Sequence, residues 1–251
     1  MSLRTIIDLE GRDAYWQMAI DEALLNLRLS GAIPDTLRIY RFKPSAVTIG
    51  YFQAVRDSVN LDYLNAQGIH YTRRITGGGA VYHDSEGELT YSVVMKITGD
   101  LRDVMESYRI LCSGLVRALR YLGVEAEFAP INDIVVKGRK ISGSAQTRRK
   151  DTLLQHGTLM YATNVDVLEK ALIVPSSKLE AKGVRSIRDR VITLREAIGE
   201  VDVSELAAAL VKGFSEALGR QAYVSGYGEQ ELEAASKLRE KYLDPKWIFR
   251  R

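Results

Sequence analysis

Cysteine is nearly absent: Cys112 is the only one in 251 residues. An intramolecular disulfide is therefore impossible, and a thiolate metal cluster is excluded. Proline is scarce too, with five in the chain, and no low-complexity linker or internal repeat marks a domain boundary. No apolar run approaches the roughly 18 residues needed to span a bilayer, and Met1-Ser2-Leu3-Arg4-Thr5 lacks the apolar centre of a signal peptide. A cytoplasmic location with no membrane contact is expected. The net charge of +3 is too small for a dedicated nucleic-acid binder. What remains is the balance of a globular protein, 46% hydrophobic and 27% charged, which is enough to bury a substantial core and excludes disordered and fibrous classes. One domain over residues 1–251 is expected.

Apolar residues recur at helical spacing from Tyr15 to Leu29 (Trp16, Ile20, Leu24), and Gly31 with Pro34 ends the run. Short β-rich segments follow at 37–42, 46–52, 70–75 and 89–97; in the last of these, Leu89, Tyr91 and Val93 alternate with Thr90 and Ser92. Between Asp103 and Leu122, the set Tyr108, Leu111, Cys112, Leu115 and Leu119 falls on one helical stripe stopped by Gly123. That stripe places Cys112 inside. Two more β-type runs, 134–140 and 153–162, flank 141–150, which reads as a basic-tipped loop between paired strands. Farther on, Asp202 and Glu205 are spaced as a capping box before Leu206, Leu210 and Phe214, Gly219 stops that helix, and a last helix is expected over about 229–242. Strands first and helices later indicate an α+β fold rather than a doubly wound sheet.

The most unusual segment is Arg73-Arg74-Ile75-Thr76-Gly77-Gly78-Gly79-Ala80-Val81-Tyr82-His83-Asp84. Three consecutive glycines cost roughly 0.5 to 1 kcal/mol each to order relative to alanine, so they signal a backbone requirement. Without Cβ atoms, such a stretch can press its N–H groups against a ligand while flanking arginines neutralise phosphate or carboxylate. A glycine-rich turn between strands is the competing reading. The segment is not a Walker A loop, which needs Gly-Lys-Ser/Thr, nor a dinucleotide fingerprint, in which glycine would replace Tyr82. Gly138 to Gly143 has Walker glycine spacing, but Ser144 stands where lysine belongs.

The second segment, Asn132-Asp133-Ile134-Val135-Val136-Lys137-Gly138-Arg139-Lys140-Ile141-Ser142-Gly143-Ser144-Ala145-Gln146, sets a lysine beside small residues. An ammonium with three donors suits an oxygen that gains negative charge in a transition state. Asp133 can hold that lysine, or a metal that bridges phosphates. An ordinary basic hairpin edge is the other reading of Lys137, Arg139 and Lys140.

Together, RRITGGGAVYHD and NDIVVKGRKISGSAQ resemble the hallmarks of the lipoate-protein ligase family, within the biotin/lipoyl protein ligase superfamily. Gln155-His156-Gly157-Thr158-Leu159 is similar to its HGTLL strand, and Lys182-Gly183-Val184-Arg185-Ser186-Ile187-Arg188-Asp189-Arg190-Val191 to its adenylate-covering loop. The resemblance implies a mixed, largely antiparallel sheet packed with helices. It also implies a ligase that joins lipoate and MgATP into lipoyl-adenylate and passes the acyl group to a lysine of a lipoyl domain, in a 2-oxoacid dehydrogenase E2 subunit or the glycine cleavage H protein.

Carried over by position, Lys140 contacts the activated carboxyl and phosphate, and Asp133 is the candidate Mg2+ contact. Gly77, Gly78, Gly79, Ala80, Val81 and His83 line the acyl pocket, and Arg73 orients the ligand. Asn132, Ser142, His156, Gly157 and Thr158 belong to the substrate and adenylate site, and Lys182 and Ser186 to the loop that folds over it. The chain stops four residues after a segment, Lys241 to Trp247, that resembles the junction before the family's C-terminal accessory domain. A separate small accessory subunit is therefore expected.

The rival of the same fold is an octanoyltransferase, which moves an acyl group from a carrier protein through a cysteine thioester and needs an exposed, activated thiol. Cys112, on its buried stripe, points away from that chemistry. A biotin ligase fits the acyl-loop and lysine segments less well, and no DNA-binding helix pair precedes them. A non-catalytic lipoate-binding scaffold is opposed by the intact Lys140, Asp133 and both loops.

Overall fold

The computed structural model describes residues 2–174 and 186–251. The chain opens with β1 (Ser2–Arg12), α1 (Ala14–Leu29), β2 (Thr36–Phe42), β3 (Ala46–Ile49), α2 (Leu61–Ala66), β4 (His70–Arg73), β5 (Val81–His83) and β6 (Glu88–Lys96). After α3 (Val104–Tyr121) come β7 (Glu127–Ala129), β8 (Asp133–Val136), β9 (Arg139–Arg149), β10 (Thr152–Met160) and α4 (Val165–Ala171). The remaining elements are α5 (Ile187–Arg190), α6 (Leu194–Ile198), α7 (Val203–Leu218), β11 (Gln221–Val224), α8 (Glu229–Leu243) and α9 (Pro245–Ile248).

Eight strands form one mixed sheet in the order β11-β1-β2-β6-β10-β9-β8-β7, and β4-β3-β5 form a second, smaller one. In the large sheet only the two pairings of β1 are parallel; from β2 onward through β6, β10, β9, β8 and β7 each pairing is antiparallel. This is the expected α+β class with a largely antiparallel sheet.

Helices cover both faces. Leu37 and Ile39 of β2 and Leu89, Tyr91 and Val93 of β6 pack with Leu111 and Leu115 of α3 and Phe214 of α7. On the opposite face, Ile20 and Leu24 of α1 and Tyr242 of α8 meet Tyr40, Val94 and Leu154. A third cluster joins Val47 and Ile49 of the small sheet to Leu64 and Leu168. No helix among the described residues is long and apolar enough to cross a membrane.

One expectation fails. Residues 141–150 are not a loop: they continue β9, which bonds to β10 on one side and β8 on the other. One turn comes earlier, at Lys137 and Gly138, whose positive φ values of 50° and 73° build the tight two-residue hairpin that suits twisted strands, and a second lies at the far end, at Lys150 and Asp151, before β10. The small residues read as loop signals are instead the packing surface of an interior strand. The helix over 203–218 starts and stops as expected, with the Asp202 carboxylate accepting from the Ser204 and Glu205 N–H groups and Gly219 in the left-handed region, but Asp202 caps it without the reciprocal Glu205 bond of a capping box.

α3 and α7 are in close contact at Gly114 and Gly213. A Cβ on Gly213 would lie 2.2 Å from the Gly114 carbonyl oxygen and 2.7 Å from the Ala118 nitrogen. Two effects compete in Gly213→Ala: alanine favours the helix by about 1 kcal/mol, while overpacking against backbone costs about 1 to 3 kcal/mol. Backbone cannot rotate away, so the clash dominates and the melting temperature of Gly213→Ala is expected to fall by several degrees in calorimetry. A rise would show that the helices separate at little cost.

Candidate functional site

A cavity of about 430 Å³ opens between the large sheet, the small sheet and α5. The second half of the triglycine segment forms one wall (Gly78, Gly79, Ala80, Val81, His83), β9 and β10 another (Gly143, Ser144, Ala145, His156, Gly157, Thr158), and Asn132, Asp133 and Lys140 lie at its edge. Met160, Leu168 and Val191 supply apolar lining.

Lys140 leaves β9 beside Asp133 of β8, with Nζ 2.5 Å from Oδ1; Arg190 of α5 reaches the other carboxylate oxygen at 3.5 Å. Gly143 makes room for this lysine, because a Cβ there would meet Nζ at 2.5 Å and Cε at 2.7 Å. The glycine of the KISGSA sequence thus leaves the space that the end of the Lys140 side chain occupies, and a Cβ there would displace Nζ from its present position. Asp133 was expected to contact magnesium, but both of its oxygens face cations. Among the described residues, no group of three His, Cys, Asp or Glu side chains is gathered as a metal site.

The two arginines part company. Arg73 does not line the cavity. Its guanidinium is buried and donates to the carbonyls of Gly50, Tyr51 and Gln53 and to Ile248 of α9. It therefore ties the C-terminal segment to the 50–53 turn, which corrects its expected role of orienting a ligand. Arg74, unassigned by the sequence reading, lines the cavity. It donates to the Thr48, Gly77 and Gly79 carbonyls and to Thr76 Oγ1. All these acceptors are neutral, and burial lowers its pKa to about 10. The Gly77 carbonyl serves as an anchor for Arg74, and Gly77 itself is not part of the lining.

Behind the loop runs a buried polar chain. Arg38 Nη1 donates to Asp21 Oδ1 at 2.8 Å, with both side chains essentially inaccessible. Asp21 Oδ2 is 2.8 Å from His156 Nδ1, and His156 Nε2 is 2.7 Å from Thr76 Oγ1. Burial alone would raise the Asp21 carboxyl; the His156 hydrogen bond and the Arg38 charge outweigh it and hold the pKa below the usual carboxylate range. Burial pushes His156 down, so the ring is neutral. An ionised Asp21 only accepts, which makes Nδ1 the donor and leaves Nε2 to accept from Thr76.

His83 is built differently. It stacks on Phe42 at 3.9 Å, and its nitrogens meet Thr48 Oγ1 at 2.9 Å and Glu88 Oε1 at 2.7 Å. Burial, then the charge of Arg74, lowers its pKa to about 3. Glu88, also buried, has its pKa raised well above the ordinary value. The stable state is a neutral pair in which the carboxylic acid donates to Nδ1.

Other expected residues lie farther out. Ser142 is buried off the cavity, and Ser186 caps α5 by accepting from the Asp189 N–H group. Lys182 lies outside the described residues. Asp21 and Arg38 were missed, though each had a signal: a charge interrupting an apolar run, Met18 to Leu25 in one case and Leu37 to Tyr40 in the other. Cys112 is fully buried on α3, 3.7 Å from Ser144 Oγ, and burial lifts its thiol to about 11.

The model of the lipoyl protein ligase A/B catalytic domain matches residues 13–215. The chain is 36% identical to octanoyltransferase LipM of Kyrpidia tusciae, with 95% of each chain covered, and 31% identical to octanoyltransferase LipM of Staphylococcus aureus, with 98% of each covered. Among solved structures, it is similar to the bipartite lipoate protein ligase of Thermoplasma acidophilum, described with its E2 lipoyl domain (33% identity, TM-score 0.85, 99% of this chain and 96% of that one). It is also similar to a lipoate-protein ligase A bound with ATP (31%, TM-score 0.84, 99% of each). The curated octanoyltransferases overturn the expectation of ATP-dependent ligation. The physical reason is that residues holding an acyl chain and polarising its carbonyl do not report which group leaves.

The Glu88 proton has a measurable consequence. The unfolded carboxyl, with its ordinary value of 4.5, loses its proton at a pH where the folded one keeps it. The native state then binds the extra proton, and stability falls as pH rises above about 4.5. Replacing Glu88 with glutamine removes that loss, while the contribution of His83, which weakens as pH falls below 6.5, is common to both proteins. In urea titrations Glu88→Gln is expected to gain on wild type by about 1.4 kcal/mol per pH unit from about pH 5 upward. A pH-independent difference would show an ionised Glu88.

Proposed function

The chain belongs to the lipoyl protein ligase A/B catalytic-domain family, and from that premise we propose that it transfers an octanoyl-type acyl group from a thioester donor, such as an acyl carrier protein, to a lysine amine of a lipoyl domain. The near full-length similarity to octanoyltransferases carries this reading. The cavity supports it: apolar residues can enclose an aliphatic chain while Lys140, Arg190 and the polar β9 edge meet its reacting end. An accessory subunit and MgATP belong to the adenylate-forming chemistry and have no part in this reaction.

In this scheme the acyl chain runs along the Gly78–Val81 wall. The thioester carbonyl oxygen turns toward Lys140, whose ammonium stabilises the charge that develops when the amine adds. Asp133 holds Lys140 in place as a positioning residue, and Gly143 keeps the lysine stem against β9. Arg74 fixes the loop carbonyls so that the wall does not reorganise during the reaction. The acceptor is a lipoyl domain of an E2 subunit or of the H protein, in keeping with the E2 lipoyl domain described beside the Thermoplasma acidophilum ligase.

The test is acceptor mass after incubation with octanoyl-acyl carrier protein and a lipoyl domain, in the absence of nucleotide. Octanoylation is expected, and Lys140→Ala should lower kcat by about 10²- to 10³-fold, as loss of an oxyanion contact does. Modification only with free acid and MgATP would overturn the reading.

A further inference from the structure

Next to the cavity, the 50–53 turn carries two aromatic rings outward. Gln53 lines the cavity, whereas its neighbours Tyr51 and Phe52 do not, and Phe52 is 66% exposed. Trp247 of α9 packs against Tyr51 at 5.8 Å between ring centroids. Arg250 lies over Tyr51 at 4.1 Å and over Trp247 at 5.3 Å, and Arg251 lies over Phe52 at 5.8 Å. Aromatic rings interleaved with guanidinium groups have the composition of a protein-binding hot spot.

The charge on this face is predominantly positive. Lys246, Arg250 and Arg251 are exposed, and none of the three forms an ion pair among the described residues. Asp244, the nearest acid in sequence, is engaged in capping α9 through the Lys246 N–H group. Behind them Arg73 donates only to carbonyls and keeps Nη2 buried without a partner. Burial, then the charges of Arg250 and Arg251, lowers its pKa, as befits cations crowded together. The face is also firmly mounted: Arg73 bonds the turn to α9, and Trp247 Nε1 donates back to the Arg73 carbonyl at 2.8 Å.

Transfer involves two protein substrates, and they differ in reach. A lysine side chain is short, so the acceptor domain has to sit over the mouth itself. A carrier protein holds its thioester on a long flexible arm and can dock to one side. The cationic face lies beside the cavity rather than over it, joined to it through Gln53, which shares the lining with Ser58 and Ile173. We propose, resting on the transfer reading above, that this face docks the acidic carrier protein that delivers the acyl thioester, with the arm entering the cavity past Gln53 and Ser58. Lys246, Arg250 and Arg251 steer the acidic surface into place, and the Phe52 ring supplies the apolar contact at the centre.

The test compares wild type with the exposed-site variants Phe52→Ala and Arg250→Glu/Arg251→Glu, using octanoyl-acyl carrier protein and a lipoyl domain as separately varied substrates. In both variants kcat/KM for the carrier protein should fall by about tenfold or more, while kcat and the kcat/KM for the lipoyl domain stay within about twofold of wild type. Added salt should lower the wild-type value for the carrier protein more steeply than that of the charge-reversed variant. An equal fall for donor and acceptor, a fall for the acceptor alone, a loss of kcat at saturation, or no change in either variant would overturn docking at this face and leave the transfer reading standing. No nucleotide-free octanoylation by the wild-type chain would overturn both.

Discussion

The buried ion pair between Arg38 and Asp21 fixes the rest of the site. Both charges are removed from water at 2.8 Å, and deleting one partner of such a pair typically costs about 3 to 5 kcal/mol because the other is left stranded. Its larger effect is on direction. With Arg38 holding Asp21 ionised, His156 must donate through Nδ1 and accept through Nε2. Thr76 then donates to the ring, and its oxygen is left to accept from Arg74 Nε. Arg74 in turn grips the Gly77 and Gly79 carbonyls. A charge pair between α1 and β2 thus sets the backbone of a loop distant in sequence, and each hydrogen bond in the series has only one possible sense.

The glycines of that loop follow from the same constraint. Gly50 lies so near the Gly78 carbonyl that a Cβ would fall 2.0 Å from its oxygen, and Gly78 itself has φ of 90°. Arg73 draws the 50–53 turn inward from the other side through the Gly50, Tyr51 and Gln53 carbonyls. The loop is therefore held between two adjacent arginines that work in opposite directions, one facing the cavity and one facing α9. The neutral His83–Glu88 pair closes the wall beyond it without adding charge, so the formal charge lining the cavity is concentrated at Arg74 and at the Lys140 edge.

What could be read from the sequence divides along physical lines. The α3 and α7 helices were legible because each buries one stripe and carries its own stop signal, and α1, buried continuously from Gln17 to Leu25, through its recurring apolar residues and the Gly31 stop. The β9 strand was not: Ser142, Gly143, Ser144 and Ala145 have the composition of a turn, and only the neighbours β10 and β8, with the lysine packed over Gly143, make small residues necessary there. The Arg73-Arg74 pair was visible, yet the assignment of roles went to the wrong member, since Arg73 ends β4 and Arg74 already belongs to the loop beyond it, and the sequence alone does not show which of the two the turn directs to the cavity. Asp21 and Arg38 contact the site only through other residues. Their sole trace in the sequence is a charge at an apolar position, which becomes informative once the partner across the sheet is known.

The choice between ligation and transfer was illegible for a chemical reason. An acyl-adenylate and an acyl thioester present the same carbonyl to the same attacking amine; they differ in the leaving group, a phosphate in one and a thiolate in the other. An ammonium beside the carbonyl oxygen, a glycine wall along the chain and an apolar floor serve either compound. Discrimination has to come from whatever meets the leaving group. In the proposed scheme that region is the edge where Lys140, Asp133 and Arg190 converge, where Asp133 faces two cations. In that scheme the two cations stabilise the departing thiolate. A triphosphate carries far more charge, and its Mg2+ usually keeps one or two carboxylate contacts; at this edge Asp133 faces both Lys140 and Arg190.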